Sequence, residues 1–443
     1  MTVAGGKREL PELAPPGALQ LPDTVEATLP TGLTVLVIRR PTVPLVELRL
    51  RVPFAQAETT NAAVLAQTLL SGTATMSNVQ IAAQLQTIGG ALSVGVDPDR
   101  LLVSGNGLVS GLDRGLAILA EVLTGASYPA GEVATERERL ADRIQVARSQ
   151  PSHLARVALL RRMYGGHPYA VQTPEPEQVR AVGSEQLQEL HAVRVQPAGA
   201  TLVLVGDLDP AAALDSVAAA LGGWDGAGRP VELPPTPPLA PGPLVLADRP
   251  DAVQSSLRLA LPAVGRTHPD HAALQLANLV FGGYFSSRWV ENIREDKGYT
   301  YGPHSAVEHA VAGSALVVAA EVATEVTAPA LLETTYELGR LATLPPTAAE
   351  LEQARQYALG TLQLGMSTQA GLASLASTFA GFGLRLDYLA RHAEALAKAT
   401  VDDVAAAATA HLAPAKAVTV VLGDATRVEA GLTGLGPVTR EPA

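Results

Sequence analysis

Arg294 and Tyr301, seven residues apart, are the side chains whose types and spacing point most directly to chemistry. A guanidinium and a phenol that converge can both donate hydrogen bonds to a carbonyl or a developing oxyanion. They lie in residues 281–305, FGGYFSSRWVENIREDKGYTYGPHS. The stretch reads as a glycine turn at Gly282-Gly283, a short helix, a glycine stop and the start of a strand. Ser286 or Ser287 is placed to cap the helix. Trp289, Val290 and Ile293 form an apolar stripe at helical spacing. Gly298 ends the helix, since glycine enters the left-handed region without a Cβ clash. Tyr299 and Tyr301, two apart, then share one face of the expected strand. A second reading is open: a solvated helix in which Arg294 pairs with neighbouring carboxylates while the tyrosines pack.

The other chemistry-bearing residues offer less. Nine histidines and no cysteine leave only His/carboxylate metal sites. His268 and His271 precede a helix that Asp270 is placed to cap. His304 and His309 are five apart on a strand pattern, so they face opposite ways. His167, in GGHPYA, is expected as a turn histidine packed on Tyr169. No H-x-x-E-H or H-x-x-x-H occurs; Gly282-Gly283 lacks the Lys-Ser/Thr of a phosphate loop, and Ser71-Gly72-Thr73 makes no nucleophile elbow. The expected metal content of this chain is none.

A chain of 443 residues, 47% hydrophobic with net charge −11, is long enough for sizeable cores and is globular. Without a basic run, nucleic acid and anionic membrane are not expected partners. The absence of cysteine excludes disulfides and thiolate chemistry. The opening residues hold no apolar core of leader length, and no later run could span a bilayer. The expected location is cytoplasmic, or periplasmic if a leader has been trimmed.

Strands are expected over 24–29 and 33–39 as a hairpin around Pro30-Thr31-Gly32, then over 43–52, 92–96, 101–104 and 202–205. Helices are expected over 61–71, 79–88, 112–123, 132–148, 154–163, 184–194 and 211–221. Residues 227–243, dense in proline, read as an extended linker. Beyond that linker the second half of the chain repeats the first: LRLRVP at 48–53 returns as LRLALP at 257–262, and LVLVGD at 202–207 as VVLGD at 420–424. The expected organisation is a lead-in (1–22), a first α/β module (23–226), the linker (227–243), a second module (244–435) and a tail (436–443). The fold class is α/β (α+β), with two homologous modules, each a mostly antiparallel sheet covered by helices.

The duplication, the HPYA turn, the VLVGD strand end and FSSRWVENIREDKGYTYG together resemble the M16 (pitrilysin/insulinase-like) metallopeptidases over about residues 24–435. The resemblance implies that Arg294 and Tyr301, an R-x6-Y motif, hold substrate backbone over a zinc ion. It also marks a departure. Counted back from Gly72-Thr73, the family's HxxEH positions fall on Ala63, Ala66 and Gln67, and its third ligand, a glutamate, on Asp142 or Arg143. Alanine supplies neither a ligand atom nor a general base, so no hydrolytic zinc site is expected here. Only Gly282-Gly283 stands where a processing α subunit carries a long glycine-rich loop.

The resemblance therefore implies half of a clamshell, with no cofactor in this chain and the zinc in a partner. The expected role is a non-catalytic, substrate-binding subunit, inert alone, that supplies the Arg/Tyr pair to an HxxEH-bearing M16-like partner in a heterodimer that cleaves peptides. Two alternatives are a free-standing homodimeric peptide-binding pseudo-peptidase and a structural subunit like the respiratory core proteins. An acidic clamshell interior would favour basic or extended unfolded peptides.

Overall fold

The computed structural model describes residues 19–226 and 228–443. Residues 1–18 of the expected lead-in and Ala227 of the expected linker lie outside the described residues. In the first half the strands are β1 (Thr24–Thr28), β2 (Thr34–Arg39), β3 (Leu45–Pro53), β4 (Ala91–Val96), β5 (Arg100–Leu108) and β6 (Thr201–Gly206). In the second they are β7 (Leu244–Asp248), β8 (Gln254–Pro262), β9 (His304–Ala310), β10 (Gly313–Ala323), β11 (Val418–Gly423) and β12 (Val438–Pro442). The two sheets run β1-β2-β6-β3-β5-β4 and β12-β7-β11-β8-β10-β9.

The two orders superpose strand for strand, which shows the duplication, except at one edge. There β1 enters from the N-terminal side and runs antiparallel to β2, while β12 comes from the far end of the chain and runs parallel to β7. Residues 436–443, expected as a tail, thus supply an edge strand; its exposed Thr439, Arg440 and Glu441 gave no apolar alternation to read. The third strand begins at Leu45, so Pro44 stays outside the ladder it could not donate to.

The central strands are buried along nearly their whole length, an apolar run in β6 and a run that includes Ser255, Ser256 and Arg258 in β8, because each sheet is covered on both faces. One face packs on helices of its own half. The other face is covered by a helix lent from the opposite half. Helix Pro151–Tyr164, from the first half, lays Leu159 and Met163 on Val245, Ala260, Val317 and Val420 of the second sheet. Helix Gln369–Gly381, from the second half, lays Leu372, Ala376 and Phe379 on Leu36, Ile38, Val203 and Val205 of the first. The exchange locks the halves together by apolar burial.

Polar clamps reinforce it. Tyr169 of the HPYA turn donates to Asp99 Oδ1 at 2.5 Å and accepts from Ala312 N at 2.9 Å, while Asp99 Oδ2 accepts from Val311 N at 3.1 Å. The β9–β10 turn is therefore held by first-half side chains. His167 packs on Tyr169 with ring centroids 4.6 Å apart and bonds the carbonyl of Pro234 at 2.9 Å. Its role is to pin the proline segment, which over 228–243 is extended but docked on the body of the protein.

Candidate functional site

The stretch around Arg294 departs from a regular helix in a way the sequence pattern does not reveal. Two π-helical turns, Leu279–Gly283 and Glu291–Asp296, flank the short helix Arg288–Val290. Such turns insert a residue and re-aim the side chains beyond it, and they are frequent at functional sites. The first is shaped by packing. Trp289 is fully buried, stacks on Phe281 at 5.4 Å and donates from its indole to Thr334 Oγ1 at 3.0 Å. A Cβ on Gly282 would stand 2.8 Å from Trp289 Cε3 and 2.9 Å from Ser305 Oγ, so Gly282 is there for close approach. Gly282→Ala is accordingly expected to destabilise by about 1–3 kcal/mol. The readout is the urea midpoint, and an unchanged midpoint would mean that the turn yields freely.

Arg288 is structural. It is buried, chelates Glu350 through Nε at 2.6 Å and Nη2 at 2.9 Å, and holds that carboxyl down at a pKa of about 2. Ser287 takes the N-cap position but makes no capping bond, and its Oγ is buried without a partner among the described residues. Asp270 likewise precedes helix His271–Asn278 without capping it through its side chain.

Arg294 projects from the second π-turn. Its guanidinium carbon lies 4.6 Å from the Phe285 ring centre and 4.8 Å from that of Tyr301, and its Nε is 3.1 Å from Glu295 Oε1. The structure thus brings Arg294 and Tyr301 together through a cation–π contact. Both features of the two readings occur: a carboxylate neighbour, and convergence with the phenol. Gly298 ends the π-turn at φ +65°, but the residues after it do not form a strand; β9 starts only at His304. Tyr299 and Tyr301 therefore do not share a strand face. Tyr299 packs against the second-half core, whereas Tyr301 is 86% exposed.

In the first half, helix Thr59–Thr68 is capped by Glu58, whose carboxylate accepts from the amides of Thr60 and Asn61. Ala63, Ala66 and Gln67 lie three and four residues apart, and all three line one cavity of about 320 Å³. Phe54, Leu140 and Ile144 supply apolar wall. Of the two positions left open for the third ligand, Arg143 reaches the helix: its Nη2 donates to Gln67 Oε1 at 2.6 Å. Asp142 turns away and pairs with Arg180 at 3.1 Å. Two methyl groups, an amide and a cation do not fit a zinc ion. Among the described residues no group of three His, Cys, Asp or Glu side chains converges to hold a metal.

One further polar cluster joins residues that sequence spacing keeps apart. His271 Nε2 faces His309 Nε2 at 3.1 Å, and the His392 ring lies 4.7 Å from that of His271. Tyr388 donates its hydroxyl to the Arg266 carbonyl at 3.0 Å, so towards His271 Nδ1, at 3.1 Å, it accepts. His271 then carries its proton on Nδ1, and its Nε2 accepts from His309 Nε2–H. His309 Nδ1 is left to accept from Ser314 Oγ at 2.8 Å. Hydrogen-bond logic thus fixes both tautomers along Ser314, His309, His271, Tyr388 and Arg266. Burial first, and then neighbouring cationic groups, push the imidazoles down to about 2 for His271 and about 4 for His309 and His392. No sequence signal marks this cluster, because His309 and His392 are 38 and 121 positions from His271.

Comparison with known proteins agrees with this architecture. A profile described as insulinase (peptidase family M16) matches residues 57–177, and one described as peptidase M16 inactive domain matches residues 181–357. The chain belongs to the M16 peptidase family. It is similar to an uncharacterized zinc protease of Mycobacterium leprae (strain TN), 26% identical over 246 residues, 54% of this chain and 55% of that protein. It is also similar to a probable inactive metalloprotease of Bacillus subtilis (strain 168), 27% identical over 211 residues, 44% of this chain and 48% of that one. The chain spans about half the length of these curated relatives. Its fold matches a solved peptidase M16 inactive domain from Pseudomonas fluorescens with TM-score 0.82 at 23% identity, covering 95% of this chain and 100% of that one. The inactive-domain profile thus lies mostly over the second half of the chain, while in the first half the cleft is lined by Ala63, Ala66 and Gln67. No helix among the described residues is long and apolar enough to cross a membrane.

Proposed function

We propose that this chain is the non-catalytic, substrate-binding subunit of a paired M16 peptidase, presenting Arg294 and Tyr301 to the zinc site of an HxxEH-bearing partner. The observation that carries this reading is the Arg294 guanidinium held between the Phe285 and Tyr301 rings, with Tyr301 open to solvent. Packing alone would bury the phenol. Stacking between rings fixes the guanidinium plane while leaving its edge N–H groups to donate. Ordering the side chain beforehand lowers the entropy cost of gripping a peptide. Arg294 would anchor a substrate carbonyl or carboxylate, and the Tyr301 hydroxyl would donate to the oxyanion that develops at the partner's site.

The test is co-expression with an HxxEH-bearing M16 chain, followed by a fluorogenic peptide assay on the purified pair. Arg294→Ala or Tyr301→Phe is expected to lower turnover by about 10²-fold, the scale for removing one oxyanion donor. A pair that cleaves equally well with either variant would end the role assigned to these residues. Light scattering that shows only self-association would replace the heterodimer with a homodimer.

A further inference from the structure

The cavity over Ala63, Ala66 and Gln67 is not isolated. Gln172 and Thr173 line it on one side and on the other line a second cavity of about 590 Å³. Four arginines, Arg148, Arg156, Arg161 and Arg162, line the second space, against Glu175, Glu441 and the carboxylate-bearing last residue, Ala443. Arg148 is paired with Glu175, and Arg156 chelates Glu308 with two bonds of 2.8 Å. Arg161 and Arg162 meet no carboxylate among the described residues, and Arg162 donates only to the carbonyl of Ala240 at 2.9 Å. Both arginines sit in the last turn of helix Pro151–Tyr164, where a cation suits the helix dipole. The dipole does not account for four arginines lining one cavity of a chain whose net charge is −11. His153, on the same wall, has its pKa lowered by burial first and then by Arg148.

An apolar cleft and an arginine-lined one thus share a wall, with Arg143 bound to Gln67 beside the first. We propose that the two cavities form one binding site for an extended acidic peptide segment, its apolar side chain in the Phe54–Ile144 cleft and its carboxylates on Arg161 and Arg162. This rests on the peptide-binding reading above and gives it a substrate class opposite in sign to the basic peptides expected from net charge alone. The physical basis is twofold. The cleft that lost its zinc ligands now offers methyl and methylene surface, which an apolar side chain can cover. The two unpaired guanidinium groups can each take a carboxylate in a bidentate, charge-assisted bond.

The experiment is fluorescence anisotropy on the full chain with a labelled leucine- and glutamate-containing peptide and its glutamine counterpart. The acidic peptide should bind at least about tenfold more tightly, and added salt should erode the difference. The double variant Arg161→Ala, Arg162→Ala should remove the preference; because Arg161 is exposed and Arg162 half-buried, circular dichroism should show the fold retained. Val96→Trp, at the cleft wall, should weaken both peptides. Equal binding of the two peptides would overturn the acidic specificity while leaving peptide binding standing. An acid preference that survives the double variant would overturn the assigned site. Equal capture of an oligonucleotide of matching charge would overturn the peptide class. Failure to bind either peptide would overturn this inference, and the paired cleavage assay would then judge the Arg294/Tyr301 reading separately.

Discussion

The quadruple variant Ala63→His, Ala66→Glu, Gln67→His, Arg143→Glu is expected to take up one zinc ion per chain with a Kd below about 1 μM, whereas the natural chain takes up none. The geometry is nearly complete. Positions 63 and 67 are one helical turn apart on a face that opens into a single cavity, so two imidazoles there point at one spot. Arg143 already touches Gln67 across 2.6 Å, so position 143 faces residue 67 across the cleft. What is missing is ligand chemistry. The alanines have no lone pair, and the guanidinium places a positive charge where a dication would sit. Keeping Arg143 should therefore undo most of the gain, and the corresponding triple variant should bind zinc at least about 10²-fold more weakly. Plasma mass spectrometry of dialysed protein reads the stoichiometry. A folded quadruple variant that holds no zinc would show that positions 63, 67 and 143 do not make a ligand set.

Between pH 6.5 and 4 the protein is expected to lose stability faster than its carboxylates alone would allow. His309 and His392 titrate near 4 in the folded state and His271 lower still, against an ordinary value of 6.5. The groups facing them are Arg266, Tyr388, Gln275 and Ser314, none of which is an acid that could stabilise an imidazolium. Below 6.5 the unfolded chain binds protons that the folded chain refuses, so stability rises with pH throughout this window. It is fully present above 6.5, falls as the pH drops towards 4, and then levels for His309 and His392. Each of these imidazoles withdraws on the order of 3 kcal/mol once both of its limits are passed. The paired carboxylate acts in the same direction but at lower pH: Glu350, held near 2, loses its contribution only as the pH falls from the usual carboxylate range towards 2. Urea unfolding at pH 7.5, 6.0 and 5.0 therefore isolates the histidines. His392→Gln, which keeps the donor to Gln275, should reduce the slope, though by less than one third, because burial also lowers His153, His191 and His411. A flat profile over that range would mean the cluster is solvated.

The Tyr388 contact gives this acid response a structural direction. Tyr388 belongs both to the imidazole cluster and to the apolar contact that helix Gln369–Gly381 makes on the first sheet. Protonating the cluster is therefore expected to loosen the place where the second half lends its helix to the first.

By itself the sequence determined what depends on local order and residue type. The repeated LRLRVP and LVLVGD strings announced two copies of one module, and period-two and period-3.6 apolar patterns placed the strands and helices to within a few residues. The missing H-x-x-E-H at Ala63, Ala66 and Gln67 was legible because a ligand atom is a property of the side chain alone. Only the tertiary structure decided relations between residues distant in sequence. It chose Arg143 over Asp142 as the neighbour of Gln67, gathered four arginines around one cavity, and joined His271 to His309 and His392. It also replaced the expected helix and strand with π-turns and an irregular segment, because the buried Trp289–Phe281 stack leaves room only for Gly282 and sets the path of the chain before Arg294. Periodicity records which face of an element is apolar; which face meets which is settled by packing and desolvation across the whole molecule.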